Sequence, residues 1–236
     1  MSNQTPKIAV IIPALDEADT IARVITGIRD NTRAKIVVID DASTDDTIQQ
    51  ARRAGAMVLP LTVRLGAWGA IRTGMRYVAQ HNHVDIVVTM DADGQHDPAF
   101  IPHLIDPVLT DQADMVIGSC VSRGSIFRKI TWAFFRRFNG FDLMDLTSGY
   151  RAYSRATLDA VMSLDTALLD YQDIGVLLAL RKAGLRILEV PVGMCPRIKG
   201  HSRVFHTWWD VFIYLTVTTI LCVSKVKIPK LSLNRR

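Results

Sequence analysis

"DIVVTMDADGQHDP", residues 85–98, is the stretch that decides the fold. Ile86 to Met90 forms a nearly continuous apolar run, the pattern of a strand buried on both faces. It stops at Asp91, and Asp93, Gln95, His96 and Asp97 follow within the next six residues. Three other segments share the run: "KIAVII" (7–12), "KIVVI" (35–39) and "DMVIGS" (114–119). Helical patterns lie around them, at roughly 19–31, 45–55, 67–81 and 98–109. Strands alternating with helices predict an α/β fold with a mostly parallel sheet flanked by helices. In such sheets ligands bind beyond the carboxyl ends of the strands. Three of those ends are loaded with functional side chains: "PALDE" after 7–12, "DDASTDD" after 35–39, and "DADGQ" after 85–90.

The rest of the composition fits one large domain. The chain has 236 residues, 49% of them apolar and 22% charged, which is ample for a core and unlike a disordered protein. Its net charge of +5 suits anionic partners such as nucleotides, lipid phosphates or a membrane face. No nucleic-acid partner is expected. Cys120, Cys195 and Cys222 are few and far apart, without metal-type spacing, as in a reducing compartment. The opening "MSNQTPK" is polar and gives no signal-peptide pattern.

The second half changes character. "SRGSIFRKITWAFFRRFNG" (122–140) spaces Ile126, Phe127, Ile130, Phe134 and Phe138 about a helical turn apart, with Arg128, Lys129, Arg136 and Arg137 between them. Such a helix can lie in a membrane interface or pack on a core with a solvated basic face. "LTSGYRAYS" (146–154) predicts a loop entering a strand, and 171–192 a helix, a glycine stop and a strand. Near the end, Val211 to Val223 is an uninterrupted apolar stretch of 13 residues. That is about 20 Å of helix, short of the roughly 30 Å of a hydrocarbon core. Trp208 and Trp209 on one side and Lys225, Lys227 and Lys230 on the other resemble interface anchors. The expectation is a domain over 1–203 and a membrane-associating apolar helix with a basic tail over 204–236, docked shallowly on the cytoplasmic face of the membrane or packed against a membrane partner; a tilted span and a soluble core helix are the alternatives.

The strand-end acids carry the chemistry. Asp91, Asp93 and the Gln95 amide oxygen, at alternate positions of an extended segment, would point the same way toward a hard divalent cation; the alternative for the same stretch is an Asp- and Gly-rich turn. Asp97-Pro98 has the form of a helix N-cap with Pro at the first position. Asp41 closes its strand where it can accept bonds from a base or ribose, and Ser43, Asp45 and Asp46 have the form of cap and turn residues. Glu17 adds a carboxylate beyond Pro13, which fixes the local backbone. "RLGAWGAIRTG" (64–74) fits no phosphate-loop pattern; its glycines suit close packing on a nucleotide or a neighbouring element.

Taken together and in this order, these motifs resemble family 2 glycosyltransferases of the GT-A (Rossmann-like) nucleotide-diphospho-sugar transferase fold. Among them the chain is most similar to polyprenol-phosphate sugar transferases such as dolichyl-phosphate mannose synthase. The resemblance runs through "VIIPALDEADTI", "VIDDASTDDT", "GAWGAIRTG", "MDADGQHDP", "DLTSGYRAYS" and "LEVPVGMCPRIKGHSR", covering about residues 7–203. It implies a metal-dependent, inverting transfer of a hexose from a GDP- or UDP-sugar to a polyprenyl or dolichyl phosphate. It implies that Pro13, Leu15, Glu17, Ile39 and Asp41 bind the nucleoside and that Ala92 lines the nucleotide. Asp91, Asp93 and Gln95 would gather around Mg2+ or Mn2+. Asp93, Arg197 and Arg203 would be the catalytic set, the two arginines closing over the diphosphate; guanidinium forks suit that task.

The chain departs from the family in places. Asp16 stands where Asn is usual, a change expected to matter little. Cys120 stands where relatives have an Arg that reaches the acceptor phosphate; Arg123 and Arg128 are the nearby cations. Arg203 stands for a Lys. A phosphate acceptor is already ionised, since a phosphomonoester's second pKa is about 6, so no general base is needed. A glycan or other hydroxyl acceptor would need a carboxylate base, for which Asp145, Asp170 and Asp173 are the candidates. Asp145 could equally anchor its loop. A sugar-phosphate nucleotidyltransferase would carry a Gly-rich basic signature near the first strand, and "PALDEADTIARV" has none.

Overall fold

The computed structural model describes residues 6–81, 84–120, 143–145, 148–163 and 174–195. The elements are β1 (Ile8–Ala14), α1 (Ile21–Asn31), β2 (Lys35–Asp40), α2 (Thr47–Arg53), β3 (Met57–Pro60), α3 (Gly66–His81) and β4 (Ile86–Thr89). A 3-10 turn (Pro98–Phe100) then leads into α4 (Ile101–Leu109), followed by β5 (Met115–Ser119), β6 (Arg151–Ser154), α5 (Arg155–Ser163), α6 (Ile174–Lys182) and β7 (Ile187–Pro191). Each predicted strand and helix within these residues is present, to within a few residues. Sequence reasoning missed β3, a four-residue strand that follows Gly55 at φ 87°. Its run, Met57–Pro60, is apolar but only four residues long and ends in a proline, and as an edge strand it is only partly buried.

The seven strands form one sheet in the order β3-β2-β1-β4-β6-β5-β7. All pairings are parallel except those of β6, which runs antiparallel to both β4 and β5. Alternate side chains feed two cores. Ala9, Ile11, Val37, Ile39, Val87, Met115, Ile117 and Tyr153 face the layer of α3, α5 and α6. Val10, Ile12, Ala14, Ile36, Val38, Val88, Val116 and Ala152 face that of α1 and α4. This two-sided burial is the reason the strands show no polar alternation. Gly74 settles one open question about the glycines of α3. A Cβ there would stand 2.7 Å from Ile11 Cγ2 and 3.0 Å from Ile39 Cγ1, so this glycine brings the helix down onto the sheet.

The basic aromatic segment at 122–140, Arg197, Arg203 and the apolar segment at 208–224 lie outside the described residues. Among the described residues, no helix is long and apolar enough to cross a membrane.

Candidate active site

The parallel register puts the ends of β1, β2 and β4 on one edge of the sheet: Ala14 pairs with Asp40, and Ile11 with Thr89. Because β6 is antiparallel, its beginning lies on that same edge, with Arg151 opposite both Thr89 and Ile117. The loops at 15–20, 41–47, 91–97, 118–120, 148–150 and 192–195 therefore share one rim. β1 is flanked by β2 on one side and by β4 on the other, so the chain reverses its winding there, as at the ligand crevices of doubly wound sheets.

The first two loops are tied together by side chains. Asp16 N–H donates to Ser43 Oγ (2.9 Å), Glu17 N–H to Thr47 Oγ1 (2.8 Å) and Ala18 N–H to Asp45 Oδ2 (3.1 Å). In return, Thr44 N–H donates to Asp16 Oδ1 at 2.7 Å. Asp45 does start α2 as expected, its Oδ1 accepting from Thr47 N–H and from the Thr47 hydroxyl. Ser43 does not: its hydroxyl is spent on the neighbouring loop. Asp46 stands at the N-cap position without a side-chain cap bond. Burial alone would raise the Asp45 carboxyl; the bonds from Thr47 and Ala18 outweigh it and hold it below the usual carboxylate range.

Asp41 is buried at the end of β2. Its Oδ1 accepts from Leu65 N–H (2.7 Å) and its Oδ2 from Gly66 N–H (2.9 Å), so it fastens the start of α3. Each oxygen keeps a second lone pair. Ile39 is fully buried beneath Gly74, and Ala92 belongs to the core on the opposite face. Pro13, Leu15 and Glu17 are partly exposed at the rim, with Glu17 Oε2 accepting from the Thr20 hydroxyl at 3.1 Å.

The acidic loop at 91–97 takes the Asp- and Gly-rich turn and not the extended form. Gly94 takes φ 74°, and Asp93 Oδ1 accepts from Gln95 N–H at 3.0 Å, closing a tight Asx turn. Alternation along a strand therefore does not aim these side chains; the turn does. Asp91 has 47% of its side chain exposed and Asp93 is partly exposed, while Gln95 is 5% exposed beneath the loop. Asp97 caps the following turn as expected, accepting from Ala99 N–H at 2.9 Å. Among the described residues no three His, Cys, Asp or Glu side chains form a closed cage. Two carboxylates in an open turn fit a cation such as Mg2+, which takes its remaining ligands from phosphates and water.

The last loops join the same rim. Cys195 N–H donates to Gln95 O at 2.8 Å, and Met194 forms a bridge with His96. The last described residue before Arg197 in the sequence, Cys195, is thus bonded to the acidic loop. Glu189, alone among the apolar residues of β7, accepts from Met144 N–H and Asp145 N–H, both at 2.6 Å. Asp145 is 7% exposed, and its Oδ2 lies 3.5 Å from Cys120 N. It anchors its loop. Sequence reasoning passed over Glu189, although a lone acid in an apolar strand is a usable signal. It also gave no role to His96, which the structure places against Asp91 and Tyr150.

A mostly parallel sheet with strand-end carboxylates around its switch point suits an enzyme that handles a nucleotide, and the family match gives the class as glycosyltransferase. The chain belongs to glycosyl transferase family 2, whose family model matches residues 9–161. It is 33% identical to the undecaprenyl-phosphate mannosyltransferase of Micrococcus luteus, over 84% of this chain and 87% of that protein. It is 27% identical to the polyprenol monophosphomannose synthase of Mycolicibacterium smegmatis, over 85% of this chain and 82% of that one. Among solved structures it matches glucosyl-3-phosphoglycerate synthase from Mycobacterium tuberculosis, in complex with Mn2+, UDP and glucosyl-3-phosphoglycerate. That match has a TM-score of 0.72 at 25% identity, covering 95% of this chain and 81% of the other.

Proposed function

We propose that this glycosyltransferase moves a hexose from a GDP- or UDP-sugar to a polyprenyl phosphate, with inversion and with a divalent cation, at the cytoplasmic face of a membrane. The observation that carries the reading is the bond from Cys195 N–H to Gln95 O, which joins the segment leading to Arg197 to the acidic turn. The segment that carries the two arginines in the sequence therefore starts out beside the acids proposed for the cation. The polyprenyl-phosphate acceptor is supported by the names of two relatives, and the cation by the Mn2+ and UDP of a structural neighbour.

A cation held there would neutralise charge growing on the nucleoside-diphosphate leaving group. The chain's own groups do the rest. Pro13, Leu15, Glu17 and Asp41 frame the nucleoside beside the metal turn. Asp91 and Asp93, with Gln95, are the proposed ligands. Arg197 and Arg203 supply fixed positive charge to the diphosphate. Asp145 is buried with its Oδ2 3.5 Å from Cys120 N, an arrangement that disfavours it as a general base. Asp170 and Asp173, the other carboxylates weighed for a hydroxyl acceptor, lie outside the described residues. With Cys120 at the family's arginine position, Arg123 and Arg128 are the proposed partners of the acceptor phosphate.

Asp93→Ala tests the reading. It should abolish transfer and Mn2+-dependent nucleotide binding while the circular dichroism spectrum stays native, because the bond from Gln95 N–H to Asp93 closes a turn on the rim and not the core; Asp93→Asn, which keeps that acceptor and loses the charge, should lose Mn2+-dependent binding as well. Normal turnover in this variant, or full wild-type activity in excess chelator, would sink the metal assignment.

A further inference from the structure

We infer that His96 is a positioning residue: it orients the carboxylate of Asp91 for a divalent cation, and Tyr150 holds the imidazole in place. This rests on the metal-assisted reading above. His96 is 4% exposed, so it does not meet substrate. Its Nδ1 accepts from Asp91 N–H at 3.1 Å, which leaves the ring proton on Nε2. Nε2 stands 3.7 Å from Asp91 Oδ2. A protonated nitrogen has no lone pair for a metal, so His96 is not a ligand. At this distance it makes no full hydrogen bond either. What remains is an N–H group 3.7 Å from one carboxylate oxygen on its protein side, while Asp91 stays open to solvent over nearly half its side chain.

The imidazole is itself fixed from two directions. Its ring stacks on that of Tyr150, with centroids 4.9 Å apart and planes 17° from parallel. Tyr150 is fully buried, and its hydroxyl donates to Asp97 O at 3.0 Å. Burial, and then the nearby Asp97 charge, push the phenol well above its ordinary range, so it remains a donor. From the other side, the backbone bridge to Met194 pins the residue that carries the ring. His96 thereby couples the acidic turn to the loop that enters β6 through its ring and to the segment that follows β7 through its backbone. Groups that orient metal ligands in this way are worth about 10–100-fold in metal affinity. A histidine that served only as packing would cost stability and leave cation affinity alone.

The two roles separate in a Mn2+ titration of the full chain with UDP or GDP, followed by electron paramagnetic resonance of the free ion. His96→Asn offers an acceptor near Nδ1 but no donor near Nε2. It should bind Mn2+ about 10–100-fold more weakly, with metal-free nucleotide binding unchanged. His96→Gln restores a donor near Nε2 and should recover most of that loss, although both variants lose packing. Tyr150→Phe keeps the ring and removes the hydroxyl, so it should fold and show a smaller loss of the same kind. Folded Asn and Phe variants with wild-type Mn2+ affinity would overturn the inference while the metal reading stands. A Gln variant as weak as Asn would overturn it too. Wild-type protein whose nucleotide binding ignores Mn2+ would remove the metal reading first, and the inference with it.

Discussion

Asp16 adopts φ 49°, in the left-handed region where Asn and Asp are the best tolerated side chains after glycine. That is why one can stand for the other here. The carboxylate accepts from Thr44 N–H, as an amide oxygen would, and adds an exposed ion pair with Arg64 at 3.7 Å. Asp16→Asn should therefore change stability by less than about 1 kcal/mol, the range of surface pairs. Asp16→Ala should cost about 1–2 kcal/mol in backbone strain alone. Equal urea midpoints for the two variants would refute the argument. Asp45 makes a pH prediction. Its folded pKa is depressed, so its stabilisation is complete above the unfolded value of about 3.9 and is lost as pH falls through the folded one. Asp45→Asn should be less stable than wild type near neutral pH, and the gap should narrow at about pH 3. A gap that is constant with pH would show that the charge is not what matters.

Elements reach the rim through a few ties between loops. β7 is an outer strand, yet Glu189 lets it hold the loop at 143–145, and Asp145 in turn meets the end of β5 at Cys120. Both Glu189 oxygens are used, one on each backbone N–H. Glu189→Gln keeps one acceptor oxygen and loses the charge, so it should lower unfolding free energy by about 1.5–3 kcal/mol, the worth of a charge-assisted bond. Denaturant unfolding checks this. A change within experimental error would mean that the loop is held by other contacts.

For the molecule as a whole, the proposed acceptor sets the place of work. A polyprenyl phosphate presents its head group at a membrane surface, so the open rim must face that surface. Arg128, Lys129, Arg136 and Arg137 could each add about 1 kcal/mol of attraction to anionic lipid. The apolar 208–224 segment would supply the part that salt does not screen. The full chain is expected to sediment with membranes and to resist a high-salt wash. Truncation after Arg203 should release it, with transfer to lipid phosphate falling far more than nucleotide-sugar binding. Full-length protein that stays in the supernatant without detergent, and glycosylates a water-soluble alcohol, would replace this acceptor with a hydroxyl.

The α/β class, the mostly parallel sheet and the acids at three strand ends could be read from the sequence alone. Burial on two faces writes itself into a strand as an unbroken apolar run, and ligand sites in such sheets follow strand ends. The family could be read as well, because its motifs are local and ordered. What only the tertiary structure decided is how those ends are joined. β6 runs antiparallel in the middle of the sheet, so "SGY" (148–150) arrives at the same rim as "DADGQH". Asp41 turns out to hold α3, Ser43 to hold the loop after β1, and Glu189 to hold a loop some 45 residues before it. The metal segment is a turn, because Gly94 takes a left-handed conformation and Asp93 bonds back to Gln95. His96 gains a role only because Tyr150, 54 residues later, stacks on it. Such pairings depend on register and strand direction, which non-local hydrogen bonds set and which no local pattern of apolar and polar residues records.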